Sequence, residues 1–94
     1  MTDDIDVRRR RAAYRAAHRG TKEMDALVGR YADAKIGTLA LAELERFERF
    51  LAIADPTLQN WIFAKEPVTV TEFAGLVDDI RAYHGLDRLT GSTE

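Results

Sequence analysis

Apolar residues recur at helical spacing along almost the whole of this 94-residue chain, and that spacing restricts what it can fold into to packed helices. Met24, Leu27, Val28 and Tyr31 fall at i, i+3, i+4 and i+7, and Phe73, Leu76, Val77, Ile80 and His84 repeat the stripe near the end. Leu44, Phe47 and Leu51 trace a third stripe, and Leu58, Trp61 and Ile62 a short fourth. Val7, Arg11, Tyr14 and Ala17 or His18 give a weaker one at the front, in an Ala- and Arg-rich segment of high helix propensity. Val68 to Thr71 looks strand-like, but four residues without a partner strand build no sheet.

The punctuation divides the chain in the same way. Gly20 interrupts helical residues on both sides, and Gly37 follows the second stripe, where a left-handed C′ residue is often required. Asp55-Pro56 reads as an N-cap followed by proline at N1, where its missing N–H costs nothing. Thr69 to Glu72 fits a capping box with Thr69 as N-cap, and Gly85 supplies the stop. Five helices are expected, at about 5–18, 21–35, 40–53, 56–64 and 70–84, in one all-α, compact five-helix bundle. That single domain spans 1–94, with its ordered core at about 5–85 and a frayed tail at 86–94. Trp61 is the largest apolar group, and Phe47, Phe50, Phe63 and Phe73 are its expected neighbours.

Composition excludes several classes of protein. With 46% hydrophobic and 32% charged residues the balance is that of a globular chain rather than a disordered one. The absence of cysteine rules out a disulfide framework, a cysteine zinc site, an iron–sulfur centre and a thiol nucleophile. Apolar runs such as Phe50 to Ala54 fall far short of the ~20 residues that span a bilayer, so no membrane insertion is expected. The acidic start, Met1-Thr-Asp-Asp-Ile-Asp, resembles neither a secretory signal nor a mitochondrial presequence, and a bacterial cytoplasm is the expected location.

Charge is unevenly distributed. Residues 8–30 hold eight Lys and Arg against two acids, whereas the remainder holds six against fourteen, so a basic amino-terminal end joins an acidic body. The run Arg8 to Arg11 invites a nucleic-acid reading through the first helix, but the acidic remainder repels a polyanion and no stacking platform accompanies the run. Catalytic constellations are missing: His18 and His84 are far apart, and neither a metal-binding histidine pair nor a phosphate-cradling glycine loop occurs. No enzyme activity, metal or stably bound cofactor is expected. Adjacent Asp78 and Asp79 point about 100° apart on a helix and do not form a working carboxylate pair. His84 at the end of its helix suits the helix dipole.

The segment from His18 to Asp25 is not explained by helix packing alone. Gly20 marks a joint where φ turns positive and a partner backbone can approach, and Arg19 and Glu23 flank it four residues apart. Two readings stand side by side. Either the pair forms a fork of donors and a carboxylate beside bare backbone, or Glu23 serves the helix dipole and Arg19 pairs with it.

Arg19-Gly20-Thr21-Lys22-Glu23, followed by Met24-Asp25, resembles the Arg-Gly-x-x-Glu signature of the SdhE or succinate dehydrogenase assembly factor 2 family of flavinylation factors. Asp55-Pro56-Thr57-Leu58-Gln59-Asn60-Trp61 resembles that family's Asp-Pro-x-Leu-x-x-Trp run, and the similarity covers roughly residues 8–84. Asp55, Pro56, Leu58 and Trp61 are thereby expected to be structural. The chain departs from the family at Thr21, where a hydrophobic residue is usual, at Ala40, where a serine caps the third helix, and at His18, which replaces a frequent arginine. Thr38 is the alternative cap.

The resemblance implies an assembly factor that binds the flavoprotein subunit of succinate dehydrogenase, and of the related fumarate reductase, and promotes covalent attachment of FAD to it. FAD then belongs to the client. Gly20 would press against the client, Arg19 and Glu23 would fix the register, and Arg11, Arg15 and Lys22 would steer docking, with His18 and Asp25 beside them. The alternatives are a small helical adaptor of antitoxin type, using the same corner, and a nucleic-acid module using the basic first helix.

Overall fold

The computed structural model describes residues 2–86. They form five α-helices, α1 Thr2–Ala17, α2 Lys22–Lys35, α3 Leu41–Leu51, α4 Asp55–Ile62 and α5 Ala74–Tyr83. Short 3-10 turns occupy Ile36–Thr38 and Thr71–Phe73, and no strand occurs among the described residues. The architecture is therefore all-α, as the periodicity predicts. By contacts the chain divides into two compact units, the first ending at Ile53 and the second beginning at Ala54. Of the tail predicted to fray, 86–94, all but Leu86 lies outside the described residues.

In the first unit α1 packs on α2 and α3. Met24, Val28 and Tyr31 of α2 and Leu44, Phe47, Phe50 and Leu51 of α3 are buried, so both predicted stripes face the core. The Phe47 ring lies 6.3 Å from Tyr31 and 6.2 Å from Phe50, centroid to centroid. The stripe predicted for α1 is reversed. Val7 and Tyr14 are exposed, and Ala12 and Ala16 are the buried residues. The cause is a close helix approach: a Cβ placed on Gly29 would come within 2.8 Å of the Ala17 Cα, and only small side chains fit between backbones so near.

Two arginines of the basic run hold α1 in place. Arg8 donates through Nε to Glu48 at 3.1 Å and through Nη2 to its other carboxylate oxygen at 2.5 Å. Arg9 donates to the Leu39 carbonyl at 2.8 Å and to Asp6 at 3.4 Å. Half of the run read as a phosphate-binding cluster is therefore engaged internally.

Helix ends follow the sequence with two corrections in this unit, at Gly37 and Thr38. Gly37 lies within the 3-10 turn and has no positive φ; α2 ends instead on Ile36, whose N–H donates to the Ala32 carbonyl. Ala40 is the N-cap of α3, and its N–H donates to Glu43 Oε1 at 2.8 Å, so half of a capping box survives without a capping side chain. Thr38 does not cap α3, because its hydroxyl donates to the Lys35 carbonyl at 2.8 Å.

In the second unit the core is Leu58, Trp61 and Ile62 of α4 with Phe73, Val77 and Ile80. Trp61 and Phe73 lie 6.4 Å apart in a tilted pair. Ala54, not Asp55, is the N-cap of α4: the Thr57 and Leu58 N–H groups both reach its carbonyl at 3.1 Å, which places Asp55 at the first helical position and Pro56 at the second. Proline is still accommodated there, because the second N–H of a helix also has no intrahelical acceptor. The helix predicted from residue 70 enters through the 3-10 turn, and α5 itself begins at Ala74 with Phe73 as an uncapped N-cap. The Thr69 to Glu72 box therefore does not cap α5. Gly85 has φ 75°, and its N–H donates to the Ala82 carbonyl at 3.1 Å, the predicted stop.

Candidate functional site

The joint between α1 and α2 is built around Gly20, whose φ of 127° is closed to most side-chain-bearing residues. α1 ends at Ala17, and Thr21 then adopts extended backbone as N-cap of α2, its Oγ1 accepting from the Met24 N–H at 3.2 Å. The residue that departs from the family pattern thus starts the helix. Asp25, one turn into α2, reaches back: its Oδ1 accepts from the Arg19 N–H and, at 3.3 Å, from the Gly20 N–H. One carboxylate thereby fixes the backbone of the elbow.

Arg19 reaches the end of α3. Its guanidinium donates through Nη1 to Leu51 O at 2.5 Å and through Nη2 to Ile53 O at 2.7 Å, at the carboxyl end of α3. The Arg19 guanidinium is thus engaged with the end of α3, while Glu23 lies exposed on the first turn of α2. Gly20, Lys22, Glu23 and His18 are exposed at the elbow, while Arg19 and Asp25 are half-buried and hold its shape.

Arg11 and Arg15 are exposed on α1. Arg15 lines an open groove of about 540 Å³ with Arg8, Glu45, Glu48, Arg49 and Ala52, facing α3 rather than the elbow. The Glu48 carboxyl is held below its usual range by the hydrogen bond from Arg8, partly opposed by burial and reinforced by the charges of Arg8, Arg15 and Arg11. The four residues of the Asp-Pro motif fall in the second unit, where Leu58 and Trp61 are core.

Sequence reasoning missed Gly29, and it read Tyr14 as part of an inward stripe although Tyr14 is exposed. Gly29 sits in a helix interior, where glycine is unfavourable, and that anomaly is the available signal for a close approach. Together with Ala13, Ala17 and Ala26 it floors an open groove of about 460 Å³ between α1 and α2. Among the described residues no group of three or more His, Asp or Glu could hold a metal ion, and no helix is long and apolar enough to cross a membrane.

Gly20 thus leaves an exposed notch without a side chain at the elbow, and Lys22 and Asp25 line the groove that Gly29 floors. Residues 10–84 match the model of the family described as flavinator of succinate dehydrogenase, and the chain belongs to that family. It is 41% identical over 66 residues to the FAD assembly factor SdhE of Acetobacter pasteurianus, covering 70% of this chain and 61% of that protein. It is 33% identical over 64 residues to the mitochondrial succinate dehydrogenase assembly factor 2 of Komagataella phaffii, covering 68% and 34%. The Dictyostelium discoideum protein of the same name is 32% identical over 65 residues, covering 69% and 46%. The chain thus spans less than two thirds of each of these relatives. No solved structure matches it.

Proposed function

We propose that this chain is a cytoplasmic assembly factor that binds the flavoprotein subunit of succinate dehydrogenase, and that of fumarate reductase, and promotes covalent FAD attachment there. The observation that carries the reading is the Arg19 to Glu23 motif placed at an exposed joint, within the stretch that matches the flavinator family. The chain supplies no bond-making group. The chemistry belongs to the client and its flavin, and the factor acts by holding the client in the arrangement that reacts, which lowers the entropic part of the barrier.

Gly20 leaves the elbow without a side chain, so the client backbone can approach it. Lys22 and Glu23 offer one charge of each sign beside that notch, and such pairs fix register more than they add affinity. Arg11, Arg15 and His18 extend the contact along α1. Arg19 and Asp25 act as positioning residues, because one anchors the elbow to α3 and the other ties its N–H groups. FAD is met only through the client.

The test mixes client apoprotein, FAD and the chain and reads covalent flavin by in-gel fluorescence. Gly20→Arg and Glu23→Ala are expected to lose most of the signal at limiting factor. Covalent flavin undiminished by both variants overturns the assignment.

A further inference from the structure

We propose that the outward face of α1, carried by Val7, Arg10, Arg11, Tyr14 and His18, takes an acidic segment of the client flavoprotein. An apolar side chain of that segment lies on the Tyr14 ring. The inference rests on the function proposed above and carries the contact proposed there at Arg11 and His18 over the rest of this face of α1.

Val7, Arg11, Tyr14 and His18 follow one another at intervals of three or four and Arg10 lies four positions before Tyr14, so the five share the side of α1 opposite Ala12 and Ala16, which are 1% and 0% exposed. Tyr14 is 65% exposed and Val7 39% exposed, two of the five exposed large hydrophobics among the described residues. The Tyr14 ring is not loose in solvent. It stacks on His18 with centroids 3.9 Å apart and planes inclined by 18°. His18 Nδ1 lies 2.8 Å from the Tyr14 carbonyl, so that nitrogen carries the proton and the imidazole is pinned beneath the phenol. A flat aromatic surface already fixed in place loses little entropy on binding, as good protein contacts require.

Charge selects the occupant. Arg8 and Arg9 are committed to Glu48, Asp6 and Leu39, whereas Arg10 and Arg11 are exposed and make no hydrogen bond or close ion pair among the described residues, Arg11 acting on Glu48 only through its charge. They flank the ring one turn before it, positioned to pair with carboxylates on a segment whose apolar residue covers Tyr14. A nucleic acid would ask for more cations than these, and the acidic excess outside residues 8–30 opposes a polyanion.

Binding of the full chain to immobilised flavoprotein subunit, measured by biolayer interferometry, tests the surface. Tyr14→Ala and Arg10→Glu are each expected to raise Kd about tenfold while the melting temperature stays unchanged, and added salt is expected to erase the difference made by Arg10→Glu. Wild-type Kd in both folded variants overturns this inference alone. A wild-type chain that fails to capture the flavoprotein overturns it together with the proposed function. Tight binding of a fluorescein-labelled oligonucleotide that is lost in Tyr14→Ala reassigns the face to nucleic acid and overturns it as well.

Discussion

The Arg19 guanidinium donates to the Leu51 carbonyl at 2.5 Å, so the residue that opens the Arg-Gly-x-x-Glu motif also closes α3. A second N–H reaches Ile53 O at 2.7 Å. The last carbonyls of a helix have no intrahelical donors, and a cation there meets both their lone pairs and the negative end of the dipole. Arg19→Ala is expected to cost about 2 kcal/mol, with Arg19→Lys intermediate because an ammonium cannot reproduce the planar fork. Urea unfolding measures both. Glu23→Ala, on the exposed first turn of α2, is expected to cost less than about 1 kcal/mol, so stability separates the residue that shapes the elbow from the one that offers contact.

Gly29 makes the opposite of the usual prediction for a glycine inside a helix. Replacing such a glycine by alanine ordinarily gains about 1 kcal/mol through propensity. Here the added Cβ would lie 2.8 Å from the Ala17 Cα and 3.1 Å from its Cβ, contacts with a packed backbone that cannot swing aside. Gly29→Ala is therefore expected to destabilise the first unit by about 1 to 3 kcal/mol, seen as a lower melting temperature by circular dichroism.

Ala64 is a place where the chain carries strain that glycine would remove. Its φ is 59°, just past the carboxyl end of α4, where the Lys65 N–H reaches the Asn60 carbonyl at 2.8 Å to close the helix. A left-handed alanine costs about 1 to 2 kcal/mol, and the added freedom of glycine in the unfolded chain returns only part of that. Ala64→Gly is expected to stabilise by roughly 0.5 to 1 kcal/mol, raising the urea midpoint without changing the slope.

The sequence discloses the helices whose inward faces are made of large apolar residues and misleads where they are not. Leu44, Phe47 and Leu51, or Phe73, Val77 and Ile80, announce their burial through size and spacing. In α1 the buried positions are Ala12 and Ala16, which carry little hydropathy, so Val7 and Tyr14 appear to define the apolar side although they face solvent. Gly20 and Gly85 are legible because each follows a helix and has a positive φ. The partners of Arg19 are not legible, since Leu51 O and Ile53 O are backbone atoms more than thirty positions away and leave no trace in residue type. The same holds for Asp25, whose bonds to the elbow depend on the turn that Gly20 permits.

The Arg8 and Glu48 pair gives stability a dependence on acid that can be signed. The hydrogen bond from Arg8 holds the Glu48 carboxyl below its ordinary value near 4.5, against the opposing effect of burial, with the charges of Arg8, Arg15 and Arg11 adding to it. The unfolded chain therefore binds the proton more readily than the folded one. The contribution of the pair is complete above the unfolded value and is lost as pH falls through the lower folded value. Glu48→Gln cannot titrate, so its urea midpoint is expected to be lower than wild type at pH 7 and to decline less steeply below pH 4.5, the two curves converging in acid. Because the pair is partly exposed, the gap at pH 7 is expected to shrink in high salt. Parallel curves down to the lowest pH would mean that Glu48 titrates alike in the folded and unfolded chain and that Arg8 does not stabilise its charge.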